Sequence, residues 1–304
     1  MELKQITVIG TGLIGGSFGL AIKRHGFRGR VIGCDREAVL DLARKMGAID
    51  RGIPDPQAAS AGSDVVLLAT PVGTIIDLIE RLGPVLPPST LLTDTGSTKR
   101  EITARARAVF GQDTERRFLA GHPMAGKEYS GIDHASADLF SGATWIVTRS
   151  LNAKSGETAT KPAGEHSAAS DFLALISGIG AHLVYMDVEH HDRVCAWVSH
   201  LPQMLSTALA ATLADEPLVD GEALELAGRA LRDVTRLASS PYSMWRDIAL
   251  TNSANIQEAL LRLEQRLAHL RENLRSAELR EEFERANNFR VNGPGGLRAN
   301  TSEK

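Results

Sequence analysis

Residues 6–22, ITVIGTGLIGGSFGLAI, limit the fold more tightly than any other part of the chain. An apolar, strand-like run from Ile6 passes directly into Gly10-x-Gly12-x-x-Gly15 and then into a helical pattern. Glycine at the first position permits a tight turn. At the second it lets backbone N–H groups approach an anion, and at the third it lets the helix lie close on the strand. Asp35 stands 20 residues beyond Gly15, at the end of a second strand-like run, RVIGCD. Strand, glycine turn, helix, strand and acid in this order predict a dinucleotide fold, with pyrophosphate at the helix N-terminus and ribose hydroxyls on Asp35. Gly10, Gly12, Leu13, Ile14, Gly15 and Asp35 are the expected contacts. Asp35 would repel a 2′-phosphate, which favours NAD over NADP, while the neighbouring Arg36 works against that preference. A structural glycine turn in a nucleotide-free fold is the alternative.

The following residues keep alternating. Glu37 to Met46 reads as helix, DVVLLAT (Asp64 to Thr70) as a strand buried on both faces, Val72 to Leu82 as helix and TLLTDTG (Thr90 to Gly96) as strand. This order predicts a parallel sheet with helices on both faces, a Rossmann-type α/β domain. FLAGH and ATWIVT read as further strands, and HLVYMD (His182 to Asp187) as the last. Residues 150–170 are small, polar and aperiodic, an expected exposed loop. From His190 onward the pattern is helical. Val194, Trp197, Val198, Leu201, Leu205 and Leu209 trace one apolar face, and Pro202 should kink its helix. Ile256, Leu260, Leu263, Leu267, Leu270, Leu274 and Ala277 repeat every seven residues, either as a long helix packing inside its own domain or, as so much leucine surface favours, as a helix–helix seam between the two subunits of a homodimer. The expected organisation is a dinucleotide-binding domain over 1–187, an all-α substrate and dimerisation domain over 188–289, and a disordered tail over 290–304.

Composition narrows the partners. With 304 residues and 43% hydrophobic content the chain can build two cores, and a formal charge of −3 with no dense basic run argues against nucleic acid. No apolar run reaches membrane-spanning length. The chain opens on a strand with no signal-peptide pattern, so a cytoplasmic protein is expected. With two cysteines, Cys34 and Cys195, and no CxxC or Cys/His zinc spacing, neither a disulfide framework nor a metal is expected.

Chemistry should gather at the carboxyl edge of the sheet. ATPVGT ends the third strand there, so Thr70 and Pro71 either border the nicotinamide or form a plain βα turn. DTGSTK ends the fourth. Ser97 is a candidate polar group near the nicotinamide, an N-cap for the helix from Arg100, or both, and Lys99 reads as a solvated lysine ahead of a substrate or phosphate contact. GHPMAGKEYSG, residues 121–131, puts His122 on a stiff Gly/Pro loop beside a Gly-bounded space. An imidazole there suits acid/base work, although a lone histidine is also a common structural residue. The run His190-His191-Asp192 reads as a solvated start of a helix.

GTGLIGGS, ATPV, DTGSTK, GHPMAGKEYSG, LFSGATWIVT, SHLPQML and MWRDIALTN together resemble the prephenate/arogenate dehydrogenase family of tyrosine biosynthesis. The resemblance runs from Ile6 to about Asn255, with segment 150–170 and the tail outside it. It implies an enzyme that oxidatively decarboxylates prephenate and/or arogenate, with NAD accepting hydride from the hydroxyl-bearing ring carbon. It also implies that His122 is the catalytic histidine, drawing off the ring hydroxyl proton with Ser97 holding that hydroxyl. His200 would line the substrate pocket, Arg246 would pair with a substrate carboxylate, and Gly126 would shape the pocket. From the residues alone His200 fits a core histidine and Arg246 a surface pair with Asp247. A β-hydroxyacid dehydrogenase shares the layout but needs a lysine that VCAWVSHLPQML lacks. A non-catalytic NAD-binding dimer is the other alternative.

Overall fold

The computed structural model describes residues 3–126, 129–149, 167–219 and 221–292. Strands β1 (Gln5–Ile9), β2 (Arg30–Cys34), β3 (Arg51–Gly52), β4 (Val65–Leu68), β5 (Leu91–Asp94), β6 (Phe118–Pro123), β7 (Thr144–Arg149) and β8 (His182–Asp187) form one sheet. Its order is β3-β2-β1-β4-β5-β6-β7-β8. The first six strands are mutually parallel, β7 is antiparallel to β6, and β8 is parallel to β7. The expected parallel sheet therefore holds for six strands and reverses for two. The reversal follows from the β6–β7 connection. Its described residues form only a 3₁₀ turn, Ile132–His134, with no α-helix to carry the chain back to the starting edge.

The helices are α1 (Leu13–Arg24), α2 (Glu37–Lys45), α3 (Pro56–Ser60), α4 (Val72–Leu82), α5 (Arg100–Phe110), α6 (Thr114–Arg117), α7 (Ala168–Gly178), α8 (Val188–Cys195), α9 (Leu201–Asp215), α10 (Gly221–Glu225), α11 (Arg229–Thr235), α12 (Tyr242–Thr251), α13 (Ser253–Glu272) and α14 (Ala277–Asn292). Alternate strand residues point to opposite faces, so the sheet carries two cores. Ile6, Val8, Val65 and Leu67 meet Phe18 and Ile22 of α1 and Phe172 and Ile176 of α7. Ile9, Val66, Leu68 and Leu92 meet Ile75 and Ile79 of α4 and Ile102 and Phe110 of α5. Each such fully buried side chain contributes about 1.5–3 kcal/mol. The chain divides into two compact units, Met1–Asn255 and Ile256–Lys304. No described helix is long and apolar enough to cross a membrane.

Several expectations need adjustment. Residues 167–170 do not belong to the exposed loop expected over 150–170. Residues 150–166 lie outside the described residues, but Ser167 and Ser170 form a capping box that starts α7. The small polar residues are there the cap itself. The tail expected over 290–304 begins inside α14, which ends at Asn292, and 293–304 lie outside the described residues. The heptad run does not occupy one helix. α13 ends at Glu272, Asn273 folds its side-chain N–H back onto the His269 carbonyl, and Ala277 opens α14. The two-residue β3 and five-residue α3 had no periodic signal long enough to read.

The apolar face from Val194 to Leu209 is the more exposed side of its segment. Trp197 is 45%, Val198 61% and Leu205 38% exposed, whereas His191, Asp192, Cys195, His200, Gln203 and Ser206 are buried. Pro202 is preceded by a π-helical turn, Ala196–His200, closed by the Leu201 N–H on the Ala196 carbonyl. Proline has no N–H for the usual i→i−4 bond, and the wider turn absorbs that loss.

Candidate active site

Because β1, β4, β5 and β6 are parallel, Ile9, Leu68, Asp94 and His122 all end on one edge of the sheet, where the strand order reverses between β1 and β4. The glycine loop sits at that reversal. Gly10 has φ +90°, a conformation that favours glycine. A Cβ on Gly15 would lie 2.0 Å from the Gly10 carbonyl oxygen, which fixes how closely α1 rests on β1. A Cβ on Gly12 would meet nothing within 4 Å, so the space before the helix is open. Gly12 is also the N-cap of α1 and brings no side-chain acceptor to its first turn. Those N–H groups face open space, which suits an anion. Leu13 and Ile14 begin the helix itself.

Asp35 is already engaged. One oxygen accepts from Thr11 N at 2.9 Å and the other from Arg36 N at 2.8 Å. A carboxylate has about four lone-pair sites, so capacity for further hydroxyl donors remains. Arg36 is exposed at the N-cap of α2. Thr70 lies against the loop, with its methyl carbon 2.8 Å from the Cβ position of Gly10. Its hydroxyl is buried without a partner, an orphan that a plain βα turn does not explain. Pro71 is the N-cap of α4. The open space at Gly12, the uncapped first turn of α1 and an orphan hydroxyl fit a dinucleotide.

His122 is not on a loop. It lies within β6, paired with Ile146 of β7, and is 7% exposed. Its support begins at Gly121, where a Cβ would stand 2.7 Å from the Asp94 carbonyl and 2.9 Å from the Trp145 indole nitrogen. Lys99 is fully buried, not solvated. It pairs with Asp94 and donates to the Gly121 carbonyl at 2.6 Å, while Asp94 accepts from Gly121 N at 3.3 Å. Both backbone groups of the residue before His122 are thus held by one buried ion pair.

The run at 190–192 also differs from expectation. His190 is exposed, but His191 is fully buried and Asp192 nearly so. His122 Nδ1 lies 2.9 Å from His191 Nε2, and His191 Nδ1 lies 2.8 Å from Asp192 Oδ1. Asp192 further accepts from Lys99 N at 2.8 Å and Arg100 N at 3.0 Å. It, rather than Ser97, therefore caps the first turn of α5. Ser97 is half-buried in the turn before Lys99 and makes no side-chain hydrogen bond among the described residues.

Charge and proton positions follow. Burial alone would raise the Asp192 carboxyl, but hydrogen bonds from His191 and from the Arg100 and Lys99 backbone hold it below its ordinary value. Burial lowers His191, outweighing the Asp192 hydrogen bond. Burial, then the charges of His191, Lys99 and His200, hold His122 well below the usual histidine range. Asp192 only accepts, so His191 carries its proton on Nδ1. Neutral His191 then accepts at Nε2 from the His122 Nδ1–H. The second nitrogen of His122, Nε2, is left unprotonated, with no hydrogen-bond partner among the described residues.

His200 sits on the same buried face because the π turn spaces it five residues after Cys195. Asn252 donates to the Asp192 carbonyl at 2.8 Å and to His200 Nδ1 at 3.2 Å, so the His200 proton is on Nε2. That N–H is buried and unpartnered, and the ring packs edge-on to Trp245, whose indole N–H is also an orphan. Burial lowers His200 to about 4.

Arg246 stands apart. Its side chain is 57% exposed and gives Nε and Nη2, each at 2.9 Å, to Asp247. This is more than a surface pair, since buried Asp247 accepts from Gly73 N at 2.9 Å and caps α4. Gly126 is exposed, with open space at its Cβ position, and residues 127 and 128 beside it lie outside the described residues. His122 is joined directly to His191, and close to His200 and Lys99. No described contact joins it to Ser97, Arg246 or Gly126. The sequence reading missed His191, Asp192, Asn252 and the Asp94–Lys99 pair. Its one available signal was a helix N-terminus rich in titratable residues.

The chain matches the prephenate dehydrogenase nucleotide-binding domain over residues 18–161 and the prephenate dehydrogenase dimerization domain over 187–287. It is 32% identical to the prephenate dehydrogenase of Lactococcus lactis subsp. cremoris over 82% of this chain and 65% of that protein. It therefore spans just under two thirds of that relative's length. It is 31% identical to the cyclohexadienyl dehydrogenase of Zymomonas mobilis over 82% of this chain and 81% of that one. Among solved structures, A. aeolicus prephenate dehydrogenase in complex with hydroxyphenyl propionate and NAD+ superposes with a TM-score of 0.81 at 30% identity. The superposition covers 94% of this chain and 97% of that one.

Proposed function

This chain belongs to the prephenate dehydrogenase family, and from that premise we propose that it catalyses NAD-dependent oxidative decarboxylation of prephenate and/or arogenate. The products are 4-hydroxyphenylpyruvate and/or tyrosine. The observation that carries this reading is the chain of hydrogen bonds from Asp192 through His191 to His122, which leaves an unprotonated Nε2 at the carboxyl edge of the sheet.

The glycine loop, Thr70, Pro71 and Asp35 would hold NAD. When bound, it accepts the two electrons that leave the substrate ring. His122 Nε2 takes the proton of the ring hydroxyl, and low basicity in the buried, neutral ring keeps it ready to accept near pH 7. Asp192 stabilises the imidazolium through His191, as a carboxylate behind a histidine does in other general-base systems. Ser97 would hold the same hydroxyl, and Gly126 would border the ring. His200 offers its orphan Nε2–H to an acceptor on the substrate. Arg246, aimed by Asp247, would meet a substrate carboxylate with its remaining N–H donors.

The sheet to residue 187 would bind the nucleotide, and the helices over 188–289 would bind substrate and pair two subunits. The match to a dimerization domain and the exposed Trp197, Val198 and Leu205 support a homodimer. Two buried free cysteines accord with the cytoplasm. Adding prephenate, then arogenate, with NAD or NADP and following the reduced-nicotinamide absorbance tests the activity. No turnover with either substrate would reject it, and faster turnover with NADP would reject the role of Asp35.

A further inference from the structure

His122, His191 and Cys195 gather three metal-ligating atoms that the proposed reaction does not need as a group. His191 and Cys195 are one turn apart on α8, an H-x₃-C spacing that counters the absence of Cys/His ligand spacing expected from sequence. Cys195 Sγ lies 3.5 Å from His191 Nε2 and 4.0 Å from His122 Nδ1, and the two nitrogens are 2.9 Å apart. Ligands about 2.0–2.3 Å from a tetrahedral zinc stand about 3.3–3.6 Å from one another, so each pair needs to move by roughly half an ångström or less.

The surroundings are also those of a metal site. The far nitrogen of His191 donates to Asp192, the carboxylate–histidine arrangement that orients metal-bound imidazoles. Lys99 is nearby, but Asp94 neutralises it and leaves the charge of Asp192 for a cation. Burial pushes the Cys195 thiol up to about 12, so without metal the cluster holds a neutral thiol.

We propose that His122 Nδ1, His191 Nε2 and Cys195 Sγ form an inhibitory site for a thiophilic divalent cation of the zinc class, with the fourth position left open. On binding, the Cys195 S–H bond breaks and its proton leaves to solvent. The Nδ1 proton of His122 leaves to solvent and Nε2 takes one up, which frees the Nδ1 lone pair for the ion. The net release is one proton per ion, and His122 is locked in the tautomer that cannot accept from a substrate hydroxyl. Metal binding requires nothing of the proposed reaction, whereas the loss of turnover rests on that reading.

Cobalt(II) is the probe for binding. Titrating the full chain should raise a thiolate-to-cobalt charge-transfer band in the near ultraviolet that saturates at one equivalent, with one proton released. Cys195→Ser should lose the band, and Cys195→Ala, with its melting curve recorded, provides a second variant if the first fails to fold. Absence of the band, or its persistence in both folded variants, overturns the site. Zinc should inhibit turnover reversibly, with chelator restoring it. Cys195→Ser should weaken that inhibition at least as much as the roughly 10–100-fold lost with an outer-shell partner. Equal zinc sensitivity of folded Cys195→Ser and the parent overturns the inhibitory role. A cobalt band in a chain that turns over neither substrate keeps the site and rejects only the reaction.

Discussion

At His122, burial and connection act together. Burial holds the ring neutral, and the contact with His191 decides which nitrogen bears the proton. Replacing His122 by Asn keeps a polar group of similar reach but no base. The expected result is a kcat lowered by roughly 10²–10⁴ with NAD affinity nearly unchanged, measured by turnover and by nucleotide titration. Near-normal kcat would take the ring out of the mechanism. The pH dependence follows in sign from the same burial. A histidine whose folded value is depressed is fully in its base form above the ordinary 6.5 and loses that form only as pH falls through the depressed value. The acid limb of kcat/KM, recorded with chelator present, is therefore expected below pH 6.5, and a limb at or above 6.5 contradicts it. Arg246 acts on binding instead. Arg246→Ala should raise KM with little change in kcat, losing on the order of 2–5 kcal/mol if the substrate pair is desolvated. An unchanged KM would leave the arginine to Asp247 alone.

At the scale of elements, a clamp at β5 and β6 carries the geometry. Gly121 has no room for a methyl group between the Asp94 carbonyl and Trp145, and the Asp94–Lys99 pair holds both its backbone groups. Gly121→Ala should lower stability by about 1–3 kcal/mol in a denaturant titration and lower kcat with it, because His122 must shift. Full stability with full activity would show that the clamp yields freely. How far such features are legible in sequence depends on the range of their causes. The glycine turn, β4, α4 and β8 are written in local periodicity and were readable residue by residue. Asp192 was not, because its meaning lies in backbone N–H groups of α5 more than 90 residues away. The stripe through Trp197 is only half legible for a related reason. Helical spacing identifies an apolar face but not what covers it, and here the inward face is made of His191, Cys195, His200 and Gln203. The π turn that keeps His200 on that face leaves in sequence only the proline that follows it.

For the whole molecule, an inward face of buried polar groups leaves the apolar face of α8 to α9 to water in a single chain. Trp197, Val198 and Leu205 are each between 38% and 61% exposed there. In the second unit Leu261, Leu267 and Leu274 are likewise more than half exposed. A stripe that includes a tryptophan and repeats at helical spacing costs free energy when solvated, and a second copy is the covering that the match to a dimerization domain supports. Trp197 is the natural centre of such an interface, since buried aromatic anchors dominate interface energetics. Replacing Trp197 and Leu205 together by Glu should weaken the dimer by on the order of 2–4 kcal/mol or more, about 30-fold to 1,000-fold in dissociation constant. The mutated side chains lie on the exposed face, so the hydrogen bonds of His191 and Asp192 on the opposite face should persist and the chain should stay folded. Sedimentation at micromolar concentration should then show the parent at twice the chain mass and the double variant at the chain mass, with matching far-ultraviolet circular dichroism. A parent that sediments as a single chain, or a variant that keeps the doubled mass, would assign this surface to something other than a second subunit.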